Sequence, residues 1–136
     1  LAGHYYFRDF FYSDSGLLAA ILIINVVAKM KAQGISLSQL IARIEKYRNS
    51  GEINFRLEDK KGAMDAVRDY FMSAEQSTAY MDFDGYRVEF PEWWFNIRPS
   101  NTEPYLRFLC EATSQELLDE KVAKVRDILT EQFGAE

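Results

Sequence analysis

From Tyr86 to Phe90 every second side chain is apolar: Tyr86, Val88 and Phe90 alternate with Arg87 and Glu89. The same period recurs at Ile53, Phe55 and Leu57, with Asn54, Arg56 and Glu58 between them. Successive side chains of a strand point to opposite faces, so the pattern calls for half-buried strands in a sheet with one covered face. Further strands are predicted over residues 78–83, 93–98 and 105–111. Asp84-Gly85 is a two-residue hairpin signal, Pro91-Glu92 turns the chain, and prolines bracket the polar run from Pro99 to Pro104. Connections this short favour antiparallel pairing. Asp59 can cap a helix carrying Met64, Val67, Tyr70 and Phe71. Thr113 with Glu116 reads as a capping box ahead of Leu118, Val122, Val125 and Leu129, and Gly134 fits a C-terminal cap. The predicted fold is α+β, an antiparallel sheet of four to five strands with helices on one face.

The first part of the chain follows a different period. Tyr5-Tyr6-Phe7 and Phe10-Phe11-Tyr12 form two aromatic clusters, read as a short strand and a loop. Asp14 is a plausible N-cap for a helix over residues 15–32 that is apolar nearly all round, so burial on several sides is expected. Gly34 ends it, and Ser36 with Gln39 opens a second helix through a capping box, with Leu37, Leu40, Ile41 and Ile44 in one stripe. Asn49-Ser50-Gly51 is the next break. The expected division is residues 1–33 as the end of one unit and residues 34–136 as a second domain.

Composition narrows the functional classes. A net charge of -5 argues against gripping nucleic acid or an anionic membrane surface. The longest apolar run, Leu17 to Ala28, is interrupted by Asn25 and falls short of the roughly 18 to 20 residues that cross a bilayer. Cys110 is the single cysteine and His4 the single histidine, so neither an internal disulfide nor a zinc cluster is expected. A cytoplasmic location is the expectation. No basic stretch precedes the apolar run, so no secretory leader is read, and the start at Leu1 suggests a chain processed or cut from something longer.

The richest stretch for chemistry runs from Phe95 to Arg107. Arg98 sits at a loop mouth, where a guanidinium can fork onto phosphate or carboxylate. Ser100 and Thr102 offer hydroxyls, and Asn101 offers amide donors. Backbone N–H groups in such a loop can form an anion nest, and Pro99 and Pro104 stiffen it. The alternative is a hairpin loop whose polar side chains satisfy their own backbone. Trp93-Trp94 and the other aromatics are read as core, Cys110 as a buried inert thiol, and Asp82, Asp84 and Glu89 as surface carboxylates.

The run Arg98-Pro99-Ser100-Asn101-Thr102-Glu103-Pro104 ahead of a strand bearing Arg107 resembles the phosphate-binding loop of the α-D-phosphohexomutases. Asp84 to Phe90 and Trp94 to Arg98 also resemble that family's last domain, specifically in its phosphomannomutase/phosphoglucomutase branch. Ala2-Gly3-His4 to Asp9, then Asp14-Ser15-Gly16, resembles the tail of the third domain, where the family carries a Gly-Glu-x-Ser-Gly-His sugar loop. In this chain the Glu position falls before Leu1 and Ala2 replaces the Ser.

The resemblance covers nearly the whole chain. It implies a C-terminal portion of an isomerase of carbohydrate metabolism: residues 1–33 as a helical remnant of the α/β third, sugar-binding domain, and residues 34–136 as a phosphate-binding last domain similar to the TATA-binding-protein fold. Such an enzyme is an intramolecular phosphotransferase, passing a phosphoryl group through a phosphoserine and a bisphosphorylated sugar. By residue, it implies that Arg98, Ser100, Asn101 and Thr102 bind the non-reacting phosphate of a hexose phosphate, glucose or mannose, with Arg107 in support and His4 at the sugar. Mg2+ would serve the full-length enzyme through ligands outside this chain. No serine-loop run like Thr-Ala-Ser-His-Asn and no Asp-Gly-Asp-Gly-Asp run occurs, so the chain alone is expected to be inactive. The apolar helix would pack in the third domain, so in this chain an exposed apolar patch is expected, and the expected partners are hexose phosphates, the rest of the enzyme chain and, through that patch, a second copy. A stand-alone phosphate-binding or interaction domain without catalysis stays open as the alternative.

Overall fold

The computed structural model describes residues 3–136, so the substitution at Ala2 lies outside the described residues. The chain forms two compact units that divide between Glu45 and Lys46. The break expected near Gln33-Gly34 falls inside the first of them. Its Gly34 does turn the chain, with φ at 76°, and the second helix leaves at 105° to the first but stays within the same unit.

In the first unit β1 (Tyr6–Phe7) pairs antiparallel with β2 (Ser13–Asp14). Helix α1 (Gly16–Ala32) follows, and α2 (Leu37–Ile44) closes the unit. The Ser36–Gln39 capping box forms as expected. The α1 cap is Ser15, whose hydroxyl accepts from Leu18 N–H at 3.2 Å, rather than Asp14. Asp14 sits one residue earlier, in β2, and its carboxylate is used elsewhere. The burial on several sides expected for α1 is not found, and the exposed apolar patch expected of it in this chain is. Ala19 is its one buried residue, while Leu17 is 75% exposed and Ile24 65%. Among the described residues no single helix is long and apolar enough to cross a membrane.

The second unit contains β3 (Arg48–Asn49), β4 (Ile53–Arg56), α3 (Lys60–Ala74), β5 (Ala79–Met81), β6 (Tyr86–Glu89), β7 (Trp93–Pro99), β8 (Tyr105–Ala112) and α4 (Gln115–Phe133). All pairings are antiparallel, in the order β3-β8-β7-β6-β5, with β4 also on β8. The six strands exceed the expected four to five because one edge is broken. β3 and β4 share the flank of β8 on either side of Ser50-Gly51. The outer side of β4 is closed by two backbone bonds between Arg56 and Glu136, both 3.1 Å.

Alternation places Val88, Phe95, Ile97, Leu106, Phe108 and Cys110 on the buried face, where α3 and α4 cover them with Val67, Phe71, Val125 and Leu129. Asp59 caps α3 through Gly62 N–H at 2.9 Å. Ser114, not Thr113, caps α4: its hydroxyl accepts from Leu117 N–H at 3.2 Å, while Thr113 N–H is held by Glu92 O, in the turn between β6 and β7, at 2.9 Å. Gly134 ends α4 in the left-handed region. The connection from β5 to β6 spans Asp82 to Gly85, longer than the expected two-residue turn.

One charge lies within this apolar packing. Lys121 is 9% exposed and donates to Glu75 at 2.8 Å and Glu120 at 3.0 Å, beneath the Trp93 ring. Trp93 Nε1 also donates to Glu75, at 2.9 Å. Burial alone pushes the Lys121 pKa down, but the two carboxylate bonds outweigh it and the net shift is upward. A raised folded-state pKa gives stability that is full below the ordinary lysine value, about 10.4, and lost as pH rises through the folded-state value. The denaturation midpoint is therefore expected to fall above about pH 10.4. A Lys121→Met variant should lack that component; equal slopes in the two proteins would contradict it.

Candidate functional site: a two-arginine hairpin loop

The site residues lie at the open end of the β7–β8 hairpin. Register places Arg98 directly opposite Arg107 and Pro99 opposite Leu106. Alternation turns both arginines away from the helices, to the open face. Ser100 N–H donates to Tyr105 O at 2.8 Å, closing the loop of residues 100–104, and Ser100 itself is buried. Lys60, in the first turn of α3, reaches under the loop and donates to Glu103 O at 2.8 Å and Ser100 O at 3.4 Å. The loop is thus tied to the sheet at one end and to a helix at its middle. The side chains of Asn101 and Thr102 hydrogen-bond to no other described residue.

Like charges directly opposite in a sheet repel. Two carboxylates answer the arginine pair. Glu52 lies 3.5 Å from Arg98 and 3.4 Å from Arg107, and Glu103 lies 3.2 Å from Arg107. Arg107 Nε is buried and meets no acceptor. The arrangement can bind an anion: two guanidinium forks, a loop with free polar side chains, and no competing framework bond at the tip.

Gly85 adjoins this pair at the end of the β5–β6 connection. Its φ is 69°, and a Cβ there would lie 2.4 Å from Ile97 O and 2.5 Å from Arg98 Cβ. Gly85→Ala is expected to cost about 1–2 kcal/mol from left-handed backbone alone, and to displace Arg98. Thermal melting and a phosphate titration should both register it; unchanged melting and affinity together would refute the reading.

His4 lies in the first unit. Its Nδ1 hydrogen-bonds Asp14 Oδ2, and Asp14 Oδ1 accepts from Tyr5 N–H at 2.9 Å. The His4 bond first, and the Tyr5 N–H second, hold the Asp14 carboxyl below its usual range. An ionised carboxylate only accepts, so Nδ1 is the donor, on a largely exposed ring. Asp14 therefore orients His4, a role beyond the helix cap expected of it.

The remaining candidates are structural. Trp93 is core, and Trp94 carries the Arg87 guanidinium 3.8 Å from its ring centre. Cys110 is fully buried, and burial, with the neighbouring Glu111 charge second, pushes its thiol up to about 12. Glu89 pairs with Arg87 at 2.7 Å. Among the described residues no group of three or more His, Cys, Asp or Glu is placed to hold a metal ion.

Sequence reasoning placed Arg98, Ser100, Asn101, Thr102 and Arg107 on one strand–loop–strand, and the structure brings them together. It missed Glu52, Lys60 and Glu103. Glu103 lies within the loop motif itself, whereas Glu52 and Lys60 reach the loop from distant segments and only the strand register could have pointed to them.

A family model described as the phosphoglucomutase/phosphomannomutase C-terminal domain matches residues 52–128. Another, described as alpha/beta/alpha domain III of the same proteins, matches residues 2–47. The chain is 37% identical over 130 residues to a phosphomannomutase of Methanocaldococcus jannaschii, covering 95% of this chain and 27% of that protein. It is 39% identical over 131 residues to a phosphomannomutase of Vibrio cholerae, with coverage of 95% and 27%. A crystal structure of a phosphoglucomutase/phosphomannomutase family protein from Burkholderia thailandensis superposes with a TM-score of 0.65 at 26% identity, covering 94% of this chain and 26% of that one. The chain thus spans about a quarter of the length of the relatives it matches.

Proposed function

The chain belongs to the phosphoglucomutase/phosphomannomutase family, and from that premise we propose that its second unit holds the non-reacting phosphate of a hexose phosphate during 1,6-phosphoryl transfer. The observation that carries this reading is the direct pairing of Arg98 with Arg107 beside a loop braced by Lys60. In the proposal Arg98 forks onto the phosphate, Ser100, Asn101 and Thr102 donate to its remaining oxygens, and Arg107 supports from the next strand. His4, oriented by Asp14, contacts the sugar hydroxyls.

In the whole protein, the proposed reaction is an isomerisation through a phosphoserine and a bisphosphorylated sugar, served by Mg2+ in the cytoplasm. The serine and the metal ligands would be supplied by sequence other than these residues, and the chain by itself would not turn over substrate. Holding the distal dianion fixes the reacting end, and that binding energy can be used in the transition state. A loop that reads phosphate but not sugar stereochemistry serves both orientations of a bisphosphorylated intermediate. It serves glucose and mannose alike.

Calorimetric titration tests this directly. Glucose 1-phosphate and mannose 6-phosphate are expected to bind with similar affinity, and unphosphorylated glucose not at all. Glucose binding as well as its phosphate would overturn the assignment.

The exposed aliphatic side chains of α1 and α2, Leu17, Ile24 and Ile44 among them, support the further proposal that this chain associates with a second copy. Light scattering at high concentration should then give a mass above 15.8 kDa. A strictly monomeric species that binds no apolar dye would count against it.

A further inference from the structure

We propose that Glu52 is the resident counter-ion of the Arg98–Arg107 pair, which yields both guanidiniums to phosphate when the ligand arrives. The inference rests on the phosphate-binding reading of the loop and adds to it a positioning residue that also competes with the ligand.

The position of Glu52 is built by the broken sheet edge. Ser50 keeps its place on β8, donating N–H to Cys110 O and accepting Cys110 N–H on its hydroxyl, both at 2.9 Å. Gly51 then steps off the ladder at φ 67°, with its N–H held by Asn49 Oδ1 at 2.6 Å. Past this step the chain rejoins β8 at Ile53, opposite Phe108. The Glu52 carboxylate reaches one arginine with each oxygen.

The two kinds of contact differ in tightness. The bonds that shape the loop, Ser100 N–H to Tyr105 O and Lys60 to Glu103 O, are both 2.8 Å. The Glu52 contacts are 3.5 and 3.4 Å, longer than the 2.7–2.9 Å of a strong charge-assisted bond. Glu52 is 41% exposed, so water screens them further. One carboxylate shared loosely between two cations offsets their repulsion without using up their donors, and Arg107 Nε remains unpaired. A phosphate dianion carries more charge and more acceptor oxygens than this carboxylate, so it can engage both forks at full strength. The frame stays fixed while the counter-ion is exchanged.

Glu52→Gln keeps the shape and removes the charge, so two effects of opposite sign are expected. Without ligand, the variant should unfold at lower denaturant concentration, because Arg98 loses its carboxylate partner and Arg107 keeps Glu103 alone. Inorganic phosphate, in chloride buffer, should bind about three- to tenfold tighter, because the competitor is gone. A merely structural role predicts the first effect without the second. Should the variant fail to fold, wild-type protein still decides the question: the Glu52 side-chain carboxyl carbon should shift with phosphate on the same isotherm as the Arg98 and Arg107 guanidinium signals. Wild-type binding with equal or weaker affinity in the variant, or a silent Glu52 carboxyl, overturns the counter-ion role alone. Absence of phosphate shifts at Arg98 and Arg107 in wild type overturns the loop assignment and this inference with it.

Discussion

Arg98→Ala is expected to weaken binding of glucose 1-phosphate by roughly 10- to 150-fold, the equivalent of about 1.5–3 kcal/mol for hydrogen bonds to a charged group. The loss should fall on binding rather than on folding. Arg98 stands opposite Arg107 on the open face, and its ion pair to Glu52 is loose and partly exposed. Removing it relieves a like-charge contact while giving up a weak salt bridge, so stability should move by less than about 1 kcal/mol. Arg107→Ala should cost less affinity, since that side chain is shared with Glu103 as well as Glu52. Calorimetry beside a denaturation curve separates the two quantities. An Arg98→Ala protein that folds and binds as wild type would remove the guanidinium from the account.

Phe95→Ala is expected to destabilise the second unit by about 3–5 kcal/mol. Phe95 is fully buried at the centre of β7, with the rings of Trp93, Phe71 and Phe108 at 5.6, 5.8 and 5.9 Å. The truncation opens a cavity among large rigid rings that cannot collapse into it, and it forfeits several aromatic contacts at once. For a unit of this size the melting temperature should fall by at least about 12 °C. Since β7 carries Arg98, phosphate binding should disappear over the same temperature range. Phe83→Ala is the control: that ring is 85% exposed, and its loss should shift stability by no more than about 0.5 kcal/mol. Equal effects of the two substitutions would mean that β7 does not run through the core.

The strands of the second unit were legible because alternation at residues such as Tyr86, Val88 and Phe90 states both the period and the buried face. Residues that act within one hairpin, Arg98 to Arg107, were legible for the same reason. Glu52 and Lys60 were not, because they meet the loop only through strand register and the docking of α3. Cap assignments slipped by one residue at Asp14 and Thr113. In each case a neighbour could serve equally well by propensity: His4 and Tyr5 N–H claim Asp14, and the Ser114 hydroxyl accepts from Leu117 N–H while Glu92 O holds Thr113 N–H. For α1 both halves were legible: a demand for burial, and an exposed apolar patch where the packing partner is lacking. An apolar helix states a demand for burial but not the surface that meets it.

The central claim is that the Arg98–Thr102 loop is a preformed phosphate reader within this chain. Residue-resolved NMR titration with glucose 1-phosphate in phosphate-free buffer tests it most directly. Saturable shifts are expected at residues 98–102 and at the Arg107 side chain, absent in Arg98→Ala. No shifts up to tens of millimolar, an affinity weaker than about 3 kcal/mol, would contradict it.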